Sequence, residues 1–366
     1  MRKAICCVIL ILALQQGALA QPSVSAWGAV VMDKASRRVM FEKNAYASHS
    51  MASTTKIMTA LVALENSSPS DIITVSAAAA AVEGSSIWLE PFEKMSMENM
   101  LYGLLLASGN DAASAIAQHI AGSESAFALM MTQKARDIGA FSTSFQNPHG
   151  LDAEGHFTTA YDMALITCTA LENKTFANIV ATKTKTIPWE SSQWDRSLTN
   201  HNKLLSRYDG CIGVKTGYTK RTGRCLVSAA QRDGRCLIAV TLNAPDDWND
   251  HTKMLDYVFG AYEAVQLCAR GEIAAEIDIN DCGCALRFEK DYITSLTSEE
   301  KSAVTVDCVI EKTSLPIAAG EVCGHADIYL RDDIIGTVNL IADKNVEKPD
   351  AFLDVYIRLI KELLVA

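Results

Sequence analysis

The sequence predicts an α+β domain, in which an antiparallel sheet is flanked by helices, followed by a small β-rich domain. Strand-like segments precede a long and largely helical region, and strands return after residue 210. This order of elements is typical of α+β architecture rather than of alternating βαβ units. From about residue 272 the pattern changes to short β-like runs separated by polar turns. We therefore expect a first domain over 21–268 and a second over 272–346.

The first predicted elements are a hairpin and a helix. Residues 26–32 and 38–42 have the pattern of two strands, and the polar residues 33–37 between them are typical of a turn. A helix follows over residues 53–65. Residues 57–64 are apolar nearly all round, which indicates a buried central helix rather than a surface helix.

The remaining elements of the first domain follow from periodicity and turn chemistry. Residues from about 70 to 180 are predicted to be mainly helical. The apolar runs 225–230 and 236–241 flank Asp233-Gly234, and this arrangement is a strong hairpin signal. A closing helix is predicted over 251–265, where apolar residues recur at helical spacing.

Length and charge limit the classes of function. The chain has 366 residues, with 33 basic and 43 acidic side chains and a formal net charge of −10. This length suits one large domain plus a smaller one. We expect no nucleic-acid partner, because binding to phosphates requires a basic face.

The first twenty residues have the pattern of a secretory signal. Arg2 and Lys3 precede the apolar run 4–14, and small residues occupy the −3 and −1 positions of a cut after Ala20. We therefore expect residues 1–20 to be a signal peptide and the protein to be exported. An uncleaved N-terminal anchor is the alternative, although the apolar run is too short to span a bilayer comfortably.

The cysteines indicate neither a disulfide scaffold nor a metal site. Of the eleven cysteines, Cys6 and Cys7 lie in the predicted signal, and an odd number remains. At least one cysteine of an exported chain then stays free or pairs between chains. Cys282 and Cys284 lack the two-residue spacing of a zinc knuckle, and no second Cys/His pair follows at finger distance. We expect no metal.

The last residues, 349–366, have the pattern of an amphipathic helix. Their apolar side chains recur near helical spacing and are interrupted by Asp354, Arg358, Lys361 and Glu362. The segment is too short and too charged to span a bilayer, but such a helix can lie in a membrane interface. We expect it to attach the protein to a membrane surface. The alternative is a helix that packs on its own protein.

One short motif places a nucleophile beside a base. Ser53 and Lys56 are three residues apart at the start of the predicted buried helix, so both side chains lie on one helical face. A serine hydroxyl is a weak nucleophile until a base accepts its proton. A desolvated lysine near other cations loses its own proton readily and can be that base. In isolation, the same string is more often a helix cap followed by a surface lysine.

Two further motifs follow in the chain. Ser108-Gly109-Asn110 offers a hydroxyl that can relay a proton and an amide that can donate and accept. Lys215-Thr216-Gly217 is predicted to lie on a strand, where the glycine permits close approach and the lysine supplies positive charge. Ser-x-x-Lys, a Ser-x-Asn motif and Lys-Thr-Gly, in this order, are typical of serine β-lactamases and penicillin-binding proteins.

The sequence resembles the low-molecular-mass penicillin-binding proteins, specifically the serine-type D-alanyl-D-alanine carboxypeptidases. Residues 51–59, 106–113 and 213–219 look like the family's three motif segments, and residues 145–151 look like a further hallmark of the family. The resemblance is strong over about 24–265 and looser beyond. It implies the penicillin-binding-protein/β-lactamase fold and removal of the terminal D-alanine from peptidoglycan stem pentapeptides. β-Lactam antibiotics are then expected as covalent inhibitors, and no organic cofactor is needed.

The resemblance also implies a role for each motif residue. Ser53 would attack the carbonyl between the two terminal D-alanines, and Lys56 would accept its proton. Ser108 would relay a proton to the leaving D-alanine, and Asn110 would orient Lys56. Lys215 would keep the local field positive.

Substrate binding is expected from Lys215 and the three residues that follow it. Thr216 would bind the substrate carboxylate, beside Gly217. The backbone N–H groups of Ser53 and Tyr218 would form the oxyanion hole.

The chain departs from the family pattern in one place. Many relatives carry an arginine just ahead of the closing helix, where it helps bind the substrate's terminal carboxylate, but residues 244–251 contain none. Carboxylate recognition is then expected from Thr216, Lys215 or an arginine elsewhere, such as Arg221.

Three other functions compete with carboxypeptidase activity. A D,D-endopeptidase of the same family would cut cross-links instead of stems. A class A β-lactamase would use a glutamate for deacylation, but no glutamate lies between Glu124 and Glu154. A non-catalytic penicillin-binding wall protein would not need Ser53, Lys56 and Lys215 to be intact.

Overall fold

The computed structural model describes residues 20–348, apart from residues 190, 280, 281 and 313, together with residues 356, 360 and 362–364. The predicted signal peptide therefore lies outside the described residues, apart from Ala20, and so does most of the predicted C-terminal helix. The described residues of that helix are helical and exposed.

The helices and strands have the following bounds. The helices are α1 (Lys56–Asn66), α2 (Ala77–Ala80), α3 (Met97–Leu105), α4 (Asn110–Ala121), α5 (Glu124–Ile138), α6 (Ala160–Ala170), α7 (Lys174–Ala181), α8 (Leu204–Arg207) and α9 (Asp247–Ala261). The first ten strands are β1 (Gly28–Asp33), β2 (Val39–Lys43), β3 (Ile72–Thr74), β4 (Lys94–Ser96), β5 (Thr184–Ile187), β6 (Arg196–Thr199), β7 (Cys211–Thr219), β8 (Gly223–Arg232), β9 (Arg235–Leu242) and β10 (Glu263–Cys268). The remaining strands are β11 (Ile273–Ile279), β12 (Cys282–Phe288), β13 (Tyr292–Leu296), β14 (Val304–Ile310), β15 (Val322–Leu330) and β16 (Asp333–Ala342).

The first domain is a three-layer α+β structure, as predicted. Its central antiparallel sheet has the strand order β2-β1-β9-β8-β7. Val30 and Met32 of β1 pack into the core shared with α1 and the other helices of residues 56–181, whereas Ala29 and Val31 pack against α9. Because both faces of β1 are covered, the strand is apolar along its length rather than alternating.

The predicted hairpin around Asp233-Gly234 is confirmed. Its strands are β8 and β9, which pair antiparallel up to Arg232 opposite Arg235. Asp233 and Gly234 both have positive φ, of 51° and 78°. This is the backbone that a two-residue type I′ turn requires, and glycine adopts it without steric cost.

The closing helix is displaced from its predicted position. Helix α9 spans Asp247–Ala261, so it begins before and ends before the predicted range of 251–265. The apolar residues beyond it belong to β10, which pairs with β13. The hairpin of β5 and β6 was also missed. In both cases a pairing partner decided the conformation, and short runs do not reveal such partners.

The β-rich domain is present and docks on the first domain through a buried carboxylate. Its main sheet has the order β11-β12-β16-β15-β14. At the end of β1, Asp33 Oδ2 accepts hydrogen bonds from the Ser295 backbone N–H over 3.2 Å and from Ser295 Oγ over 2.8 Å. Arg38 forms an ion pair with Glu300 beside this contact. These bonds tie the end of β1 in the first domain to β13 of the second domain.

Candidate active site

A cavity of about 570 Å³ lies between the edge strand β7 and the helical part of the first domain. It brings together residues from all three sequence motifs. Its lining residues are Ser53, Ser85, Ser108, His201, Thr216, Gly217, Tyr218, Arg224, Asp247 and Trp248. Ser85, His201, Arg224, Asp247 and Trp248 were not identified from the sequence.

Ser53 lies on a 3-10 turn, Ala52–Thr55, that leads directly into α1. The N-cap positions of this turn and of α1 are Met51 and Thr55, so the common role of a serine as a helix cap does not apply to Ser53. Instead, Ser53 Oγ lies 3.0 Å from Lys56 Nζ. The contact expected from the three-residue spacing is therefore present.

Lys56 is fully buried, and every hydrogen-bond partner of its ammonium is an oxygen of the site. Besides Ser53 Oγ, Nζ contacts Asn110 Oδ1 over 2.7 Å and the backbone carbonyl of His149 over 2.6 Å. Burial holds the pKa of Lys56 well below its usual value, and the positive charge of Lys215 lowers this pKa further. Asp111 opposes both effects. Lys56 therefore loses its proton more readily than an exposed lysine does.

Ser108 presents a hydroxyl without a protein partner. Its Oγ is buried and forms no hydrogen bond with any described residue. Its backbone has a φ of 62°, a left-handed conformation that is uncommon for serine. Buried hydroxyls normally find a partner, and strained backbone collects at functional sites. The unpartnered hydroxyl and the uncommon backbone conformation both indicate that Ser108 is a candidate to contact a bound substrate.

Asn110 begins α4 and links the lysine to the wall of the cavity. Its Oδ1 accepts from Lys56, and its Nδ2 donates to the backbone carbonyl of Glu83 over 2.7 Å. The neighbouring Asp111 accepts from the backbone N–H groups of Ile87 and Leu89. Asn110 of the second motif and the adjacent Asp111 thus fix the backbone of the loop that contributes Ser85 to the cavity.

Strand β7 forms the opposite wall. Lys215 is buried, its Nζ donates to the backbone carbonyl of Thr216 over 2.9 Å, and burial lowers its pKa to about 7. A Cβ on Gly217 would lie 3.0 Å from the backbone nitrogen of Ser53. Glycine therefore allows β7 to approach the Ser53 backbone nitrogen closely. Tyr218, next in the strand, is largely exposed.

The segment of residues 145–151 supplies the third partner of Lys56. Gly150 has a φ of 90°, and a Cβ there would lie 2.0 Å from the carbonyl oxygen of Ala52, so only glycine fits. His149 is buried, with Nε2 at 3.4 Å from a Glu124 carboxylate oxygen. The sequence marked this segment by resemblance, but it did not indicate that the His149 carbonyl contacts the lysine.

No group of three or more His, Cys, Asp or Glu side chains could hold a metal ion within the part of the chain that the structure describes. No helix within it is both long and apolar enough to cross a membrane.

Two family models match successive parts of the chain. A family model described as D-alanyl-D-alanine carboxypeptidase matches residues 15–246, and one described as penicillin-binding protein 5, C-terminal domain, matches residues 262–348. The D-alanyl-D-alanine carboxypeptidase DacF of Bacillus subtilis is 36% identical over 288 residues, which cover 76% of this chain and 72% of DacF. The D-alanyl-D-alanine carboxypeptidase DacC of Escherichia coli is 32% identical over 358 residues. The match covers 90% of this chain and 86% of DacC.

Solved structures agree with these matches. Penicillin binding protein 5 from Haemophilus influenzae superposes with a TM-score of 0.69 and 25% identity, over 90% of this chain and 100% of that chain. The D-alanyl-D-alanine carboxypeptidase DacD from Francisella tularensis gives a TM-score of 0.67 and 26% identity, over 92% of this chain and 98% of that chain.

Proposed function

The chain belongs to the family of serine-type D-alanyl-D-alanine carboxypeptidases, and on this premise we propose that Ser53 is the nucleophile of the reaction. The proposed substrate is the stem pentapeptide of peptidoglycan, from which the enzyme removes the terminal D-alanine. The observation that carries the proposal is the contact of Ser53 Oγ with a fully buried Lys56, at the floor of a cavity lined by all three motifs.

The hydrogen bonds of Lys56 support its role as general base. A neutral amine has two N–H groups and one lone pair, and two partners of Nζ, Asn110 Oδ1 and the His149 carbonyl, can only accept. Both N–H groups are therefore used, and the lone pair is directed at Ser53. Burial keeps the amine neutral, so it can take the serine proton as Oγ attacks the carbonyl carbon.

The negative charge that develops on the carbonyl oxygen needs donors that are already in place. The backbone N–H groups of Ser53 and Tyr218 are the proposed donors. The close approach of Gly217 to the Ser53 nitrogen supports this, because Tyr218 directly follows Gly217 in β7. Preorganised donors of this kind supply a large share of catalysis in acyl transfer.

Departure of D-alanine needs a proton on its nitrogen. We assign this relay to Ser108, whose unpartnered hydroxyl lies in the cavity wall. The Ser53–carbonyl bond forms, the peptide bond breaks, and free D-alanine leaves with the proton that Lys56 took from Ser53. Water then hydrolyses the ester on Ser53, which releases the shortened stem and restores the hydroxyl.

One experiment tests the function directly. The purified protein is incubated with a stem pentapeptide and, separately, with a cross-linked dimer. Release of D-alanine from the pentapeptide supports carboxypeptidase action. Cleavage of the dimer alone would favour the endopeptidase, and hydrolysis of benzylpenicillin with neither peptide cleaved would favour a β-lactamase.

Covalent binding of β-lactams belongs to the same proposal. Benzylpenicillin presents an acyl group and a carboxylate, and it should form an ester with Ser53. A mass spectrum after incubation should show one adduct per chain. An unmodified protein would support the non-catalytic wall protein instead.

Export and membrane attachment complete the proposed setting. We propose that residues 1–20 direct export and that residues 349–366 hold domains 21–268 and 272–346 at the outer face of the cytoplasmic membrane. The exposed apolar side chains at Tyr356, Ile360, Leu363 and Leu364 support an interfacial helix, since their spacing places them on one helical face.

A further inference from the structure

Arg224 is the single arginine or lysine among the described residues that line the catalytic cavity. It lies on β8, directly opposite Tyr218 of β7 in the antiparallel register. Side chains directly opposite each other share a face of the sheet, as do residues two apart in one strand. Arg224 therefore shares its face with Tyr218 and with Thr216.

Asp247 binds one side of the Arg224 guanidinium, and the rest of the group is exposed. Its Nη1 donates to Asp247 Oδ1 over 3.1 Å, and the side-chain exposures are 50% for Arg224 and 6% for Asp247. Asp247 is in turn fixed by the backbone N–H of Trp248 over 3.0 Å. The backbone also joins the two segments, because the Ala244 N–H donates to the Arg224 carbonyl over 2.8 Å.

Arg224 has hydrogen-bond donors that Asp247 does not occupy. A guanidinium carries five N–H donors in a fixed planar fork, and one fork edge can engage a second carboxylate while another is occupied. Apart from Asp247, no described residue accepts a hydrogen bond from this side chain. The remaining donors are therefore available on the half-exposed side, which faces the cavity.

The other candidates for binding an anion are less suitable. Lys215 is buried behind the cavity wall and donates to the Thr216 carbonyl, and its lowered pKa of about 7 leaves it only partly charged at neutral pH. Burial also lowers the pKa of His201. Arg221 is exposed and does not line the cavity. Arg224 thus supplies the permanent positive charge of the site.

From this geometry we infer that Arg224, held in place by Asp247, recognises the terminal carboxylate of the substrate together with the Thr216 hydroxyl. The inference rests on the proposed carboxypeptidase function. It assigns to β8 the task that residues 244–251, which lack arginine, do not perform. Asp247, at the start of α9, contributes the support for the guanidinium rather than the charge that binds substrate.

The test uses two D-alanyl thioesters that differ in one group. One has a thioglycolate leaving group, which carries a carboxylate, and the other has the corresponding neutral thioglycolamide. The ratio of their kcat/KM values measures carboxylate recognition, whereas folding and the acylation machinery affect both. Arg224→Gln should reduce this ratio by about 10- to 100-fold, the loss expected for a charged hydrogen-bonded contact. Arg224→Lys should retain part of it.

Arg221→Gln is the matched control, since it removes an equal charge from the adjoining turn, and it should leave the ratio unchanged. An unchanged ratio in Arg224→Gln, or a reduced ratio in Arg221→Gln, would overturn the inference. A wild-type protein that turns over neither thioester would instead overturn the proposed function on which the inference rests.

Discussion

Asn110 Oδ1 accepts a 2.7 Å hydrogen bond from Lys56 Nζ, and the same side chain donates through Nδ2 to the Glu83 carbonyl. The second bond fixes which end of the amide faces the lysine. A neutral acceptor at this position helps to orient Lys56 without adding negative charge beside it. A carboxylate would orient the lysine equally well but would favour its protonated form.

Replacing Asn110 by aspartate should therefore raise the pKa of Lys56. The wild-type pKa is held well below its usual value by burial, and an adjacent opposite charge shifts a pKa by about 1–3 units toward the charged form. We expect the acid limb of the pH profile for acylation by benzylpenicillin to move to higher pH. Acylation at neutral pH should fall and should recover on alkalinisation. Uniform loss at every pH would contradict this explanation.

Ser53→Ala should abolish covalent penicillin binding and D-alanine release. Removal of the nucleophile of a serine hydrolase lowers kcat by about 10⁴-fold or more. Ser53 is not the N-cap of its 3-10 turn or of α1, where Met51 and Thr55 hold that position, so the melting temperature should change little. The measurements are the adduct mass and the rate of D-alanine release. A penicillin adduct on the variant would identify a different nucleophile.

Part of this site could be predicted from the sequence because it depends on local geometry. The approach of Lys56 to Ser53 follows from helical spacing, and the structure has it. The contribution of the His149 carbonyl depends on a loop that is distant in sequence, and no spacing rule predicts it. For the carboxylate, the sequence left open Thr216, Lys215 or an arginine elsewhere, such as Arg221. Strand register and alternation place Arg224 at the cavity.

The same distinction applies to the fold. The β8–β9 hairpin was predictable because Asp233-Gly234 determines its turn. The end of α9 was not, because residues 263–265 are compatible with helix or strand until β13 pairs with them. A buried side chain such as Asp33 looks like an ordinary turn residue in the sequence. Its burial results from docking of the second domain.

Lys215→Ala should lower acylation by both substrate and penicillin by about 100-fold, a typical loss for a group that stabilises developing charge. Burial lowers the pKa of Lys215 to about 7, so in the free enzyme its charge is present below that pH and is lost above it. The difference in acylation rate between wild type and variant should therefore narrow as the pH rises. The exposed Lys220→Ala is the control. A difference that widens at alkaline pH would argue against a role for the charge.

His251 should make the protein sensitive to acid. It is fully buried between Ser228 Oγ and Thr241 Oγ1, and burial lowers its pKa to about 3. In the unfolded chain the His251 side chain binds a proton near pH 6.5, whereas in the folded chain it stays neutral at that pH. The free energy of unfolding therefore falls as the pH drops below about 6.5. Between about pH 7.5 and 5 this one group should cost about 2 kcal/mol.

The measurement is urea unfolding at both pH values. His251→Gln should be less stable at neutral pH, because it disturbs a buried contact, but it should lose about 2 kcal/mol less on acidification than wild type. His119→Gln, at an exposed position of α4, should leave the pH dependence unchanged. Equal losses in wild type and His251→Gln would mean that His251 does not carry the acid sensitivity.

The C-terminal segment should bind a lipid surface mainly through apolar burial. Tyr356, Ile360, Leu363 and Leu364 are helical and exposed, and a helical face of this kind can bury itself in a membrane interface. Arg358 and Lys361 are balanced by Asp354 and Glu362, so anionic lipid should add little. We expect the protein to sediment with phosphatidylcholine vesicles, with or without phosphatidylglycerol, and a version ending at Lys348 to stay in solution.

A full-length Leu363→Ser/Leu364→Ser variant separates loss of the apolar face from loss of the segment, and it should also stay in solution. Binding that persists in both altered proteins would place the membrane contact elsewhere, and binding that requires phosphatidylglycerol would mean that charge rather than apolar area drives it.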